Sequence, residues 1–358
     1  MKGVLFLLFF SLSLQPLCAQ YVKPYYREDE TSTKRNAEKK NRKYLEASKR
    51  KLLVVLEEED PKQVRSLAGS DEKLERYRSL IRISNQLISE LVPQHWRQNN
   101  CQVEFKKFSE CLALKKAGSK DYFCLEFCSF RQMDDVSELL AFKDPAAARA
   151  AMLKSPGKFG KFEISLIEKF GKSAFYEFTT ITPWPNELDF TIAIQQMNSI
   201  FLAKYSDPAL STAHYEGLIE EKHPYLSLRT LLVDSAQVNF SPGFHMDDLK
   251  ENYPYAFRFS SAEEIQKVVK AKDTAFAYLA IIPNLNITGR DNSFNSTSGG
   301  GMAEAVKDYV YSYTHYLIDA GSTEALFFAK NQPRLLEKSG WQLNLTHILK
   351  LYNMKISK

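Results

Sequence analysis

Two stretches of this chain carry the same strand, helix, strand rhythm, and a repeat of that kind restricts the possible architectures more than any single motif. The first, CQVEFKKFSECLALKKAGSKDYFCLEFC, runs from Cys101 to Cys128; the second, YAFRFSSAEEIQKVVKAKDTAFAYLAI, begins at Tyr255. Laid over each other without a gap, they place Phe105, Ser109, Lys115, Lys120 and Asp121 on Phe257, Ser261, Lys267, Lys272 and Asp273, with Lys106 on Arg258. Background composition would give about one identity in such a window. The expected fold is therefore α/β (α+β): two similar halves, each a mixed β-sheet covered by helices, after a basic N-terminal arm.

Segment by segment the pattern is consistent with this plan. KLLVVL reads as a strand, and DEKLERYRSLIRISNQLISELVP sets Leu74, Tyr77, Ile81, Ser84, Ile88 and Leu91 at helical spacing, with Pro93 closing the helix. QVEFKKF, a short helix capped by Ser109, and YFCLEFCSF follow. FYEFTTIT is a strand, and the next helix lines Phe190, Ile194, Met197, Phe201 and Tyr205 along one face. In the second series TLLVDSAQVNF, YAFRF, AFAYLAIIP, DYVYSYTHYLI and ALFFAKN read as strands, and a helix opened by Ser260 or Ser261 lies among them. RLLEKSGWQLNLTHILKLY is expected to close the chain as an interrupted helix. The expected division is a signal segment at 1–19, the arm at 20–50, and halves at 51–208 and 209–358.

The signal is expected because MKGVLFLLFFSLSLQPLCAQ carries one early positive charge, an apolar run and a small residue, Ala19, before Gln20. Its end resembles the export signals of Gram-negative bacteria, which implies a secreted or periplasmic address. No later run reaches the length of about 20 apolar residues needed to span a membrane. The net charge of +5 comes from the arm, where Tyr21 to Lys51 holds 11 basic and 5 acidic residues, so the body is nearly neutral and lacks the basic stripe that nucleic acid requires. An anionic envelope surface is the partner such an arm would suit.

Removal of the signal takes Cys18 with it and leaves Cys101, Cys111, Cys124 and Cys128 in a compartment that permits disulfides. Their spacing matches neither the close pairs of a zinc site nor a C-x-x-C redox motif. On one strand, Cys124 and Cys128 lie about 13 Å apart, too far to bond to each other. If the flanking strands are parallel neighbours, Cys101 pairs with Cys124 and Cys111 with Cys128. The alternative is that all four are small buried apolar residues.

No recognisable catalytic motif is present. GKS at Gly171–Ser173 lacks the upstream glycine and the following helix of a phosphate-binding loop, and neither G-x-S-x-G nor H-E-x-x-H occurs. His214 and His223 flank Glu216, Glu220 and Glu221, and His245 precedes Asp247 and Asp248, without metal-ligand spacing. DYVYSYTHYLI is more distinctive: on a strand, Tyr309, Tyr311, Tyr313 and His315 project from one face, a row of rings with polar tips suited to sugars or to a partner's apolar surface. The long polar loop before it, NLNITGRDNSFNSTSGGGM, is placed to close over a ligand held there. The expectation is an exported protein acting by binding or structural association, without a cofactor or metal. The alternatives are a hydrolase using His245, Asp247 or Glu220, and a thioredoxin-like redox protein.

Overall fold

A computed structural model describes residues 30–97, 102–132, 136, 140, 160–167, 174–180, 183–237, 253, 255–287 and 309–331. The helices are α1 (Glu30–Ala47), α2 (Pro61–Leu67), α3 (Asp71–His95), α4 (Phe108–Ala117), α5 (Ser129–Gln132), α6 (Glu187–Ser206), α7 (Thr212–Glu220) and α8 (Ala262–Ala271). The strands are β1 (Lys51–Leu56), β2 (Val103–Lys107), β3 (Tyr122–Phe127), β4 (Gly160–Leu166), β5 (Ala174–Thr180), β6 (Thr230–Asp234), β7 (Phe257–Ser260), β8 (Phe276–Ile287), β9 (Tyr309–Asp319) and β10 (Ala325–Asn331). The signal segment and the closing helix expected after Asn331 lie outside the described residues.

The strands form two five-stranded sheets of one plan, β2-β1-β3-β4-β5 and β7-β6-β8-β9-β10. In each, the first strand in the chain lies second from one edge, between two parallel neighbours, and two antiparallel strands extend the sheet on the other side. The two sheets share hydrogen bonds as well as strand order. Leu52 N donates to Gln102 O and Lys51 N to Asp121 O; in the second sheet Leu231 N donates to Ala256 O and Thr230 N to Ala275 O. The helix between the outer parallel strands begins with Glu110 accepting from Lys107 N at 2.8 Å and Glu264 accepting from Ser261 N at 3.2 Å. It ends on a left-handed residue, Gly118 (φ 67°) or Lys272 (φ 52°).

These landmarks correct the alignment expected from sequence. Structurally equivalent residues, such as Glu110 and Glu264, are two positions further along than the ungapped match implies, so Phe105 corresponds to Phe259 and Leu125 to Leu279. On β1 and β6, Leu52, Leu53 and Val54 correspond to Leu231, Leu232 and Val233. The misplacement comes from Ser109, which is not the helix cap. It lies in the first turn of α4, its amide donating to Glu58 Oε2 at 2.7 Å, and Lys107 holds the N-cap position. Lysine has no acceptor to offer, so carboxylates from elsewhere serve the exposed amides of α4. Ser261 is a true cap, its Oγ accepting from Glu264 N at 3.2 Å.

The amphipathic reading of α3 holds: Tyr77, Ile81, Ser84, Ile88 and Leu91 are buried, and Ser70 caps the helix by accepting from Lys73 N. Pro93 does not end the helix but sits in its last turn. One face of the first sheet, carrying Leu52, Val54, Phe123, Leu125 and Phe127, packs with α3 and α6 in a single core. Its other face carries Leu53, Val55 and Cys124 under Cys111 and Leu114 of α4. The second sheet joins the shared core through the opposite kind of face: Leu232, Tyr278 and Ala280, with Ile265 and Val269 of α8. The two halves thus repeat a plan but meet without two-fold symmetry.

Between them lies α6, which touches α1, α3, α8 and β5. Phe190, Ile194, Met197 and Phe201 are buried as expected, while Tyr205 remains 39% exposed. So many other faces of α6 are buried that its polar residues need partners inside the protein. Gln195 Nε2 lies 3.2 Å from His95 Nδ1, Gln196 Nε2 donates to Thr323 O at 3.2 Å, and Asn198 Oδ1 accepts from Arg97 N at 3.0 Å. These bonds tie α3 to α6 and α6 to the second sheet. The basic arm is helical where described: α1 buries Ala37, Asn41, Tyr44 and Ala47 and leaves Arg35, Lys39 and Arg42 exposed. Asn41 Nδ2 anchors it by donating to Pro208 O and Leu210 O.

His95 gives the α3–α6 contact a pH dependence. Burial lowers its pKa, and the nearby Lys272 and Arg97 charges lower it further. The neutral ring is the form the fold accommodates, so its contribution is complete above the unfolded value of about 6.5 and is lost as pH falls through the folded value. Thermal melts between pH 7.5 and 5 should show a declining midpoint, with a shallower decline in His95→Gln; parallel slopes would assign the dependence to other groups.

Candidate ligand-binding recess

A recess of about 70 Å³ opens where the two halves meet. Tyr176 and Phe178 reach it from β5, Gln196 and Ile200 from α6, Tyr215 from α7, Ile282 from β8 and Tyr316 from β9. Each element is positioned by its own local rule. Asn186 starts α6 by accepting from Asp189 N at 2.9 Å, and Ser211 starts α7 by accepting from His214 N at 3.1 Å. Pairing of β9 with β8 and β10 fixes Tyr316 opposite Ala280 and Phe328.

The hydroxyls of Tyr176, Tyr215 and Tyr316 form no hydrogen bond to protein among the described residues. Burial raises all three phenol pKa values, that of Tyr215 to about 12, and the proximity of the phenols to one another raises those of Tyr176 and Tyr316 further. They are neutral at physiological pH and act as hydrogen-bond donors and acceptors. Gln196 spends its amide nitrogen on Thr323 O, which leaves its Oε1 as an acceptor. The carboxylate in the lining, Glu177, reaches Lys161, whose ammonium lies 2.9 Å from it and 2.7 Å from Glu163. The recess therefore offers neutral hydrogen-bonding groups over an apolar floor of Phe178, Ile200 and Ile282.

Tyr316 is not in the row expected from sequence but on the alternate face of the same strand. At His315 the expected face is buried. The backbones of Tyr309, Tyr311 and Tyr313 pair with Ile287, Leu285 and Pro283, and their side chains lie outside the described residues. The expected loop begins later than the sequence suggests, because Asn284–Ile287 continue β8 in pairing with β9; the rest of it lies outside the described residues. Strand alternation was thus the available signal for Tyr316, whereas Tyr176, Tyr215 and Gln196 come together only through tertiary packing.

None of the described candidate acid–base residues lines the recess. Glu220 and His214 are exposed on α7, His223 stands against Phe327 with ring centroids 5.5 Å apart, and His245, Asp247 and Asp248 lie outside the described residues. Among the described residues no group of three or more His, Cys, Asp or Glu is arranged to hold a metal ion, and no helix is long and apolar enough to cross a membrane.

Cys111, Cys124 and Cys128 are buried free thiols, so the expected pairing of Cys111 with Cys128 is not formed; Cys101 lies outside the described residues. The pairing assumed that β2 and β3 are neighbours, but β1 runs between them. Two strand spacings are about 9.6 Å, beyond the reach of a disulfide from Cys124 to the start of β2. In the second half the positions of Cys111, Cys124 and Cys128 are taken by Ile265, Tyr278 and Ile282, all buried. That substitution pattern is what packing residues show. Burial pushes the Cys124 thiol up to about 12, which suppresses the reactive thiolate. Mass spectrometry after iodoacetamide treatment at pH 8 should find Cys124 unmodified in folded protein and modified in denaturant; rapid labelling of the native chain would refute its burial.

Compared with protein-family models, curated proteins and solved structures, the chain has no match.

Proposed function

We propose that the protein is an exported binding protein and that the recess between its halves receives a neutral polar group of the ligand. The observation that carries this reading is that three tyrosines whose hydroxyls have no protein partner among the described residues line one accessible space. Polar groups inside a fold are normally satisfied, and when protein does not supply the partner, water or a ligand must. Neutral phenols and an amide suit hydrogen-bonded recognition of an uncharged group. Carbohydrate fits the mixture of hydroxyls and aromatic faces, and the basic outer side of α1 suits the same body to an anionic envelope surface. Removal of residues 1–19 on export belongs to this reading.

The test is a thermal-shift and crystal-soaking series with small neutral solutes, acetamide and glycerol among them. Binding in the recess predicts density between Tyr215 and Tyr316 and a stabilisation that Tyr316→Phe removes. Equal shifts in both proteins, or density only elsewhere, would rule out the recess as the binding site.

A further inference from the structure

We infer that the outer edge of the first sheet is a two-fold interface with a second copy of this chain, in which β2 pairs antiparallel with its symmetry mate about Phe105. Among the described residues β2 is an edge strand, bonded to β1 alone. Leu52 N donates to Gln102 O, and in that parallel register the peptide groups of Glu104 and Lys106 turn towards β1 while those of Val103 and Phe105 turn away from it. The outward N–H and C=O of Phe105 have no protein partner among the described residues. A strand edge in this state is a template for another strand.

The internal repeat shows how this edge differs from its counterpart. Phe259 of β7 corresponds to Phe105, and Gln266 of α8 corresponds to Leu112 of α4. In the second half the buried Tyr253 packs on the outer strand, its ring centroid 6.1 Å from that of Phe257, which lies 6.1 Å from Phe259. Gln266 is buried there as well. The first half inverts the pattern: Phe105 and Leu112 are each 38% exposed where the repeat has a half-buried ring and a buried amide. Apolar side chains left open at positions the same plan elsewhere covers mark a surface for a partner.

The sequence of β2, VEFKK, fits that partner to be a second copy. A two-fold axis at Phe105 makes the two Phe105 residues a hydrogen-bonded pair and sets Glu104 of each copy opposite Lys106 of the other on the alternate face of the strands. Lys106 has no ion pair among the described residues. Glu104 is held in place by Lys51 Nζ at 3.0 Å and by Tyr122 Oη, which donates to it at 3.1 Å. Moving the axis to Glu104 would oppose two carboxylates, and moving it to Lys106 would oppose two ammonium groups and call on the Lys107 amide, already donated to Glu110. An isologous contact of this kind closes with two copies and propagates no further. So short a strand gives a dimer in equilibrium with monomer at micromolar concentration. The recess adjoins β5, at the opposite edge of the same sheet, and stays open in the pair.

The test is sedimentation-velocity ultracentrifugation of the purified protein over a concentration series, which should show a monomer–dimer equilibrium. Lys106→Glu and Glu104→Lys should each weaken the dimer about tenfold, because each creates like-charge pairs at two symmetry-related places. An equimolar mixture of the two variants should recover it as a heterodimer in which every such pair is attractive. Far-ultraviolet circular dichroism separates lost association from lost folding. Independently, Phe105→Cys should give a covalent dimer on mild oxidation that the parent chain does not give, since Cα atoms of a hydrogen-bonded antiparallel pair lie about 5.5 Å apart, within disulfide reach. A chain that stays monomeric throughout the series overturns the proposal. So does a dimer that survives both charge reversals, a mixture as weak as its components, or a Phe105→Cys chain that does not cross-link.

Discussion

Replacing Asp319 with alanine should destabilise the protein by about 3–5 kcal/mol, the range for removing one partner of a buried ion pair. Its side chain is 4% exposed and accepts from Arg229 Nε at 2.6 Å through one oxygen. Through the other it accepts from the amides of Gly321 and Ser322, at 2.9 and 2.7 Å. The carboxylate thus neutralises a guanidinium and builds the turn between β9 and β10 at once. In that turn Gly321 has no room for a side chain, since a Cβ would fall 2.5 Å from Thr274 Cγ2. Asp319→Asn should cost less, because the amide oxygen still accepts from the turn while the charge is lost. The effect should extend beyond the turn, since Thr323 O accepts from Gln196 and so links the hairpin to α6. Urea denaturation with a double-variant cycle through Arg229→Ala measures the coupling. Additive single effects, or a loss below about 1 kcal/mol, would show that the pair does not organise this region.

Phe201→Ala should be of comparable size, about 3–5 kcal/mol for removing a large buried aromatic side chain. Phe201 is fully buried and joins three layers. Its ring stacks on Phe123 of the first sheet at 5.4 Å, and it meets Trp96 after α3 at 5.5 Å and Tyr44 of α1 at 5.7 Å. Truncation leaves a cavity at the point where the basic helix, the sheet and α6 converge, and surroundings on three sides limit collapse into it. Trp96 emission should shift to the red and Phe201→Leu should recover most of the loss. A variant with unchanged stability would place α6 outside the core.

How far these features were legible in the sequence differs by level. Helix faces were readable because their period is local: Tyr77, Ile81 and Ile88 on α3, and Phe190, Ile194 and Met197 on α6, are buried where spacing puts them. Strand identity was readable for the same reason, β10 matching ALFFAKN throughout. The similarity of the halves was readable, but its register was not, because Ser109 has the chemistry of a helix cap and the acceptors that displace it, Glu58 and Glu110, act through the folded backbone. Strand order was not legible either. Nothing local announces that β1 enters between β2 and β3, and the expected cysteine pairing failed on that point. The recess is half legible: the tyrosine-rich strand is distinctive in the sequence, yet Tyr316 lies on its alternate face, and Tyr176, Gln196 and Tyr215 meet it only after the halves pack.

The repeated plan makes β1 and β6 inner strands of their sheets, each bonded on both edges, whereas β2 and β7 are outer strands. Native-state hydrogen exchange resolves this residue by residue. The amides of Leu53 to Val55 and of Leu232 and Val233 should fall in the slowest class, with those of β2 and β7 faster. Exchange of β6 at the rate of an outer strand would contradict the two-sheet plan, and with it the seam in which the tyrosines gather.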